Sequence, residues 1–206
     1  MGSAARKAGG AVLRSTYRFT LRDVPTRREL PHVLNARGLV GCGVEVGVQE
    51  GDYSELLLDL WRGRHLISVD PWLAAPEDEY RSTDNVEQPV HEQRYAATLA
   101  RLERFGERSS VWRQTSAEAA ERIPRATLDF VYIDARHDYG SVREDLALWY
   151  PRLRPGGLLA GHDYVEGTFA EGTFGVKRAV DEFAREQGRR VDRTRREQWP
   201  SWMVLA

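Results

Sequence analysis

Val44-Glu45-Val46-Gly47-Val48-Gln49-Glu50-Gly51-Asp52-Tyr53-Ser54-Glu55, with Ile67-Ser68-Val69-Asp70 ending nineteen residues beyond Gly51, decides the fold. It reads as an apolar strand, a glycine turn, a helix, and a second strand that ends in an acid. Two glycines in a turn let backbone amides come close to a ligand. The amides that open the next helix lack intrahelical partners, so they can hold a carboxylate or phosphate. An acid about twenty residues further on can bind both hydroxyls of a ribose. Together these features point to an adenosine-containing ligand.

The spacing narrows the choice of ligand. A dinucleotide fingerprint needs three glycines as G-x-G-x-x-G after a strand, whereas this turn offers Gly47 and Gly51 with three residues between them. Gly41 and Gly43 come too early, before the apolar strand has been spelled out, and a P-loop's Gly-Lys-Ser or Gly-Lys-Thr is absent. The run Glu45-Val46-Gly47, an acid two residues before a glycine at the end of an apolar strand, resembles the first motif of the class I S-adenosylmethionine-dependent methyltransferases. The resemblance covers roughly residues 38 to 206. It implies that the turn passes the methionine part of S-adenosylmethionine and that Asp70 holds the ribose diol.

Composition sets the outer limits. A chain of 206 residues suits one domain able to bury roughly 70% of its unfolded surface. Thirty Lys plus Arg against 31 Asp plus Glu leave a net charge of -1, which gives no electrostatic case for nucleic acid as the main partner. The arginines between 189 and 196 are interleaved with acid and read as a solvated face. The single Cys42 cannot form an internal disulfide and reads as a small buried residue. No apolar stretch reaches membrane-span length, and residues 1 to 18 lack the apolar core of a secretory signal, so a cytoplasmic protein is expected.

Along the chain, residues 1–37 read as an N-terminal arm, mobile over its first eighteen residues unless a partner orders it, followed by a short helical cap near 27–34 with Pro31 in its first turn. Residues 38–206 form the cofactor-binding domain. Strands are expected at 43–47, 65–69, 109–113, 128–134 and 157–161, alternating with helices at 52–60, 90–105, 116–122, 139–150 and 172–187. That alternation argues for an α/β fold with a parallel sheet flanked by helices. Val191–Thr194 and Trp202–Leu205 read as two strands joined by a tight connection. The resemblance implies a Rossmann-like methyltransferase fold, a seven-stranded and mostly parallel sheet with a C-terminal antiparallel strand, and the tail permits it. Residues 74–93 are long and polar for an α/β connection, which suits either a lid or a solvated insertion. Residues 164–175 read as an aromatic-bearing loop, either a substrate gate or a surface loop with buried anchors.

The candidate chemistry lies in two later runs, Ile133-Asp134-Ala135-Arg136-His137 and Gly161-His162-Asp163-Tyr164. Each follows an apolar strand, at the carboxyl edge where open α/β sheets bind ligands, so Asp134, His137, His162 and Asp163 should converge. A helix cap or loop stabiliser is the plain alternative for each acid taken alone. The pattern, with Gly156-Gly157 before the second run, resembles bacterial sugar and natural-product O-methyltransferases. There, acids at the positions of Asp134, His162 and Asp163 bind magnesium, and a histidine at the position of His137 is the general base. His162 departs from that pattern. Imidazole suits zinc, iron, nickel or copper better than magnesium, so a divalent metal ion on Asp134, His162 and Asp163 is a candidate cofactor of open identity.

The cofactor set expected from the sequence is Glu45, Gly47, Gly51, Tyr53, Ser54, Asp70, Thr115, Ser116 and Asp134. Thr115-Ser116 matches a place near the adenine in the family, while a helix N-cap at Ser116 fits equally. Asp52-x-x-Glu55 resembles a capping box at the start of the first helix. Trp72 suits the adenine face or a hydrophobic gap. The leading reading is methyl transfer to a hydroxyl of a small-molecule acceptor, with His137 removing the proton. An NAD(P)-binding or nucleotide-sugar oxidoreductase and a non-catalytic binding module are the competing classes. The arm and the Trp-rich tail are candidates for a homodimer interface.

Overall fold

A computed structural model describes residues 21–76, 78 and 80–206. The arm expected over residues 1 to 18 lies outside the described residues. Seven strands form one sheet: β1 (Cys42–Val46), β2 (His65–Asp70), β3 (Ser109–Arg113), β4 (Leu128–Ile133), β5 (Leu153–Gly161), β8 (Asp192–Arg193) and β9 (Trp202–Leu205). Their order is β3-β2-β1-β4-β5-β9-β8. The first five are mutually parallel, and β9 runs antiparallel between β5 and β8. This is the Rossmann-like methyltransferase arrangement expected from the sequence. A separate hairpin pairs β6 (Gly167–Phe169) with β7 (Gly172–Phe174).

Side-chain alternation along the strands builds two cores. Val44 and Val46 of β1, Val131 and Ile133 of β4 and Leu159 of β5 pack on one face, beneath α4 (Ser116–Glu121), α5 (Tyr139–Trp149) and α6 (Val176–Glu186). Phe130, Tyr132, Leu158 and Met203 face the other way, toward α1 (Leu30–Ala36), α2 (Asp52–Leu60) and α3 (Gln88–Leu102). Leu21, Val24, Leu30, Val33 and Leu34 are buried in this second core. A 3₁₀ turn at Arg27–Glu29, closed by a Thr26–Glu29 capping box, leads into α1, and Pro31 sits in the first turn of α1.

Four expectations need correction. Helix α6 begins at Val176, because residues 172–174 pair with 167–169 as the hairpin's second strand. Strand β5 starts at Leu153, since the Pro-Gly-Gly segment is carried through a register shift against β4. The two tail strands are joined by the long loop 194–201, not by a tight turn, and that loop reaches the site. Cys42 is only half-buried, with Nη2 of Arg64 donating to its Sγ at 3.3 Å.

Candidate active site

The chain leaves β1 for β2 on one side and is met by β4 on the other. The carboxyl ends of these strands therefore part to leave a crevice. Gly47 turns the backbone there at φ +87°, and a Cβ on it would lie 2.0 Å from the carbonyl oxygen of Asp134. Only glycine fits that approach. Asp70 then clasps the turn: Oδ2 accepts from the amides of Val48 (2.9 Å) and Gln49 (3.1 Å), and Oδ1 accepts from the amide of Trp72 (2.7 Å). Its carboxylate stays half-exposed in the cavity wall.

Gly51, at φ +79°, precedes α2 as its cap residue and makes no side-chain cap bond. The capping box expected from Asp52 and Glu55 does not form, because both carboxylates turn outward to Arg101. Ser54 also departs from expectation. It faces inward, donates to Glu45, and contacts the Ser68 hydroxyl at 2.8 Å, so it holds α2 to the sheet away from the cavity. Burial pushes the Glu45 carboxyl up to about 8, against the bond from Ser54, with Asp134 adding to the rise. Glu45 and Tyr53 both line the cavity, and the Tyr53 hydroxyl donates to the carbonyl of Arg27 at 3.1 Å.

Across the crevice, β4 and β5 deliver the four residues expected to converge. Nε2 of His137 lies 3.0 Å from Asp163 Oδ2 and 4.0 Å from Asp134 Oδ1, while Nδ1 of His162 lies 2.8 Å from Asp163 Oδ1 and 3.9 Å from Asp134 Oδ1. Burial works against protonation of His137, but the two carboxylates outweigh it and carry the imidazole up to about 10. The same balance raises His162. Burial would raise Asp163, yet the two histidines hold it well below the usual carboxylate range.

Asp134, His162 and Asp163 each offer a ligand atom, all within 4.8 Å of one another, so the donor set fits a divalent ion of borderline softness. Such an ion needs His162 neutral. It also competes with Arg27, whose Nη1 already donates to Asp134 Oδ2 at 3.0 Å.

The cavity, about 810 Å³, runs from this cluster past the Gly47 turn to a corner formed by Thr115, Ser116, Ala117, Ser141 and Asp145. Thr115, not Ser116, is the N-cap of α4, with Glu118 completing the capping box. Ser116 is thereby freed to donate to Asp145 and to accept from Trp149 Nε1 at 2.8 Å. Burial lifts Asp145 to about 7, with the Ser116 bond opposing. Trp72 is fully buried at φ +44°, anchored by its Nε1 on the Gln49 carbonyl at 2.8 Å, and its ring tilts against Tyr95. It both fills a gap and lines the cavity.

Residues 74–76, Tyr80 and residues 83–85 form a wall of the cavity. Asn85 ties the loop to itself through Ala75 and Tyr80, and Ser82 bridges to Gly172 of the hairpin. The loop brings Tyr80 to His137, with the hydroxyl 3.3 Å from Nδ1. The hairpin stacks Phe174 on the same imidazole at 4.6 Å between ring centroids, and Trp199 closes on Phe174. Sequence reasoning did not single out Arg27, Asp145 or Trp199 as parts of the site, and it reached Tyr80 and Phe174 only through the loops 74–93 and 164–175. The capping box around Arg27 marks a turn, not a site.

A family model described as a methyltransferase domain matches residues 44–164, more than half of the chain. The chain belongs to this methyltransferase-domain family. The matched segment holds most of β1, all of β2 to β5 and the Asp134–Asp163 cluster, whereas Arg27, Phe174 and Trp199 lie outside it. An uncharacterized protein, y4gI, of Sinorhizobium fredii is 26% identical over 143 residues, which is 69% of this chain and 15% of that protein. The chain spans half or less of the length of the curated relatives it matches.

Among solved structures, a putative caffeoyl-CoA O-methyltransferase from Staphylococcus aureus aligns with a TM-score of 0.63 at 11% identity, covering 86% of this chain and 81% of that one. An O-methyltransferase from Bacillus cereus, solved in complex with SAH, gives 0.57 at 16% identity, covering 87% and 80%. At such identities these two show that the chain shares their fold.

Proposed function

We propose that this methyltransferase uses S-adenosylmethionine to methylate a hydroxyl oxygen of a small molecule, with a sugar or natural-product hydroxyl as the acceptor class. The observation that carries the reading is one continuous cavity. It joins an adenosine-compatible seat, formed by the Gly47 turn, Asp70 and Trp72, to a histidine set between two carboxylates. S-adenosylmethionine supplies the electrophilic methyl group of a sulfonium. A divalent ion on Asp134, His162 and Asp163 would supply Lewis acidity to the same acceptor oxygen.

An alcohol is a weak nucleophile at neutral pH, so its proton must be taken as the oxygen attacks. His137 is the group placed to take it. With both carboxylates facing it alone, however, it holds its own proton at neutral pH. It becomes a base when Asp134 and Asp163 are drawn to other positive groups, because that removes the charges that raise it. Tyr80 at Nδ1 and Phe174 on the ring face fix the imidazole's orientation during this exchange. The aromatic surfaces of Tyr80, Phe174 and Trp199 support an acceptor that presents a ring face to the cavity.

Isothermal titration with S-adenosylmethionine, S-adenosylhomocysteine and NAD tests the reading. The two sulfur ligands should bind and NAD should not. Binding of NAD without either sulfur ligand at millimolar concentration sinks it.

A further inference from the structure

Of the described cavity residues outside the matched family segment, Arg27 is the one that brings a positive charge. Its backbone is held from two sides: its amide donates to Glu197 Oε1 at 2.9 Å, and its carbonyl accepts from the Tyr53 hydroxyl. Next to it, the Pro25 carbonyl accepts from the amides of Arg195 and Arg196. These bonds aim the guanidinium into the cavity, 5.0 Å above the ring of Tyr53 and onto Asp134. The pair is mostly covered, with side-chain exposures of 32% and 21%. Removing one partner would leave a partly buried charge uncompensated, so a ligand that opens the pair has to supply a charge for each side.

The location is specific. Asp134 abuts Gly47, and the field of Arg27 also reaches Glu45, so the guanidinium stands at the end of β1 where the turn begins. The other two arginines lining the cavity have partners elsewhere, Arg94 at the Asp84 carbonyl and Arg136 over the ring of Tyr80. On the function proposed above, on which this step rests, the turn at Gly47 faces the amino-acid end of the cofactor. That end is a zwitterion with one carboxylate and one ammonium group.

We infer that Arg27 binds the cofactor's carboxylate, and that the Arg27–Asp134 pair opens to receive the zwitterion, with the carboxylate on Arg27 and the ammonium on Asp134. Charge balances throughout, since one internal pair becomes two pairs of the same polarity. A guanidinium fork matches a carboxylate in a way a single ammonium does not. The exchange also draws Asp134 away from His137.

The test is calorimetric titration of the wild-type chain and Arg27→Met with three ligands. S-adenosylhomocysteine carries both charges, its decarboxylated analogue keeps only the ammonium, and 5′-methylthioadenosine has neither. Wild type should prefer S-adenosylhomocysteine to the decarboxylated analogue by about 10- to 100-fold, the range of one charge-assisted contact. Arg27→Met should lose that preference while binding methylthioadenosine as wild type does. Arg27→Lys should recover part of it. A preference left intact in Arg27→Met overturns the inference, and an equal loss for all three ligands overturns it too, by making Arg27 a structural residue. Failure of wild type to bind any of the three would instead bring down the proposed function, and this inference with it.

Discussion

Gly47 and Gly51 make a controlled pair, because both sit at similar positive φ, +87° and +79°, while their surroundings differ. Replacing either with alanine forces a Cβ into the left-handed region, at about 1–2 kcal/mol. Either change also removes similar freedom from the unfolded chain, which cancels in the comparison. At Gly51 the added carbon meets a Thr98 methyl at 3.2 Å, and a small shift relieves the contact. At Gly47 it meets the Asp134 carbonyl oxygen at 2.0 Å, the carbonyl carbon at 2.4 Å and the Ala135 amide at 2.7 Å. Those atoms are backbone at the end of β4 and cannot rotate aside. Overpacking of that kind adds about 1–3 kcal/mol or more.

Gly51→Ala should therefore lose about 1–2 kcal/mol and Gly47→Ala about 2–5 kcal/mol. Urea unfolding with a shared m-value measures both. Calorimetry should also show that Gly47→Ala weakens S-adenosylhomocysteine binding at least tenfold, since the β4 end carrying Asp134 is displaced. Equal destabilisation of the two variants would refute the close approach of the turn to β4.

Asp70→Asn keeps one carbonyl oxygen for three backbone amides, so a turn amide loses its acceptor. A loss of roughly 1.5–3 kcal/mol in urea unfolding is expected, together with weaker adenosine binding. An unchanged urea midpoint would show that Asp70 does not clasp the turn. Glu45, with its carboxyl pushed up to about 8 from an ordinary 4.5, keeps a proton in the fold that the unfolded chain has released between those values. Its contribution is therefore present at low pH and is lost as pH rises through about 8, with a slope of at most about 1.4 kcal/mol per pH unit. Glu45→Gln should flatten the stability profile from pH 5 to 8, and parallel wild-type and variant profiles would contradict the burial argument. His137→Ala should lower turnover by about 100-fold or more, read as S-adenosylhomocysteine release on a panel of hydroxyl acceptors, with cofactor affinity nearly unchanged. Retained turnover removes His137 from the mechanism.

The parts of the fold legible in the sequence were those with strong periodicity. Strands β1, β2 and β4 are short, largely apolar runs bounded by turn residues, and the convergence of Asp134, His137, His162 and Asp163 follows from their place after two adjacent parallel strands. What escaped depends on a rotation of one residue or on contacts remote in sequence. Ser54 and Tyr53 are neighbours, yet Gly51's left-handed backbone sets the start of α2 so that the serine points into the sheet and the tyrosine into the cavity. Thr115 and Ser116 differ by one position in the same way, and only the Glu118 bond decides which is the cap. The hairpin's strands are three residues each and glycine-led, too short to show a period of two. Arg27 reaches the site through Glu197, a contact that no local pattern encodes.

That last contact has a consequence for the order in which the molecule is made. During synthesis the strands that seat the cofactor emerge and can pair before residues 194–205 leave the ribosome. The bonds from Glu197, Arg195 and Arg196 to the segment around Arg27 form only afterwards. A nascent or C-terminally clipped chain would hold the glycine turn and Asp70 in place while Arg27 kept its bond from Tyr53 but not the one to Glu197.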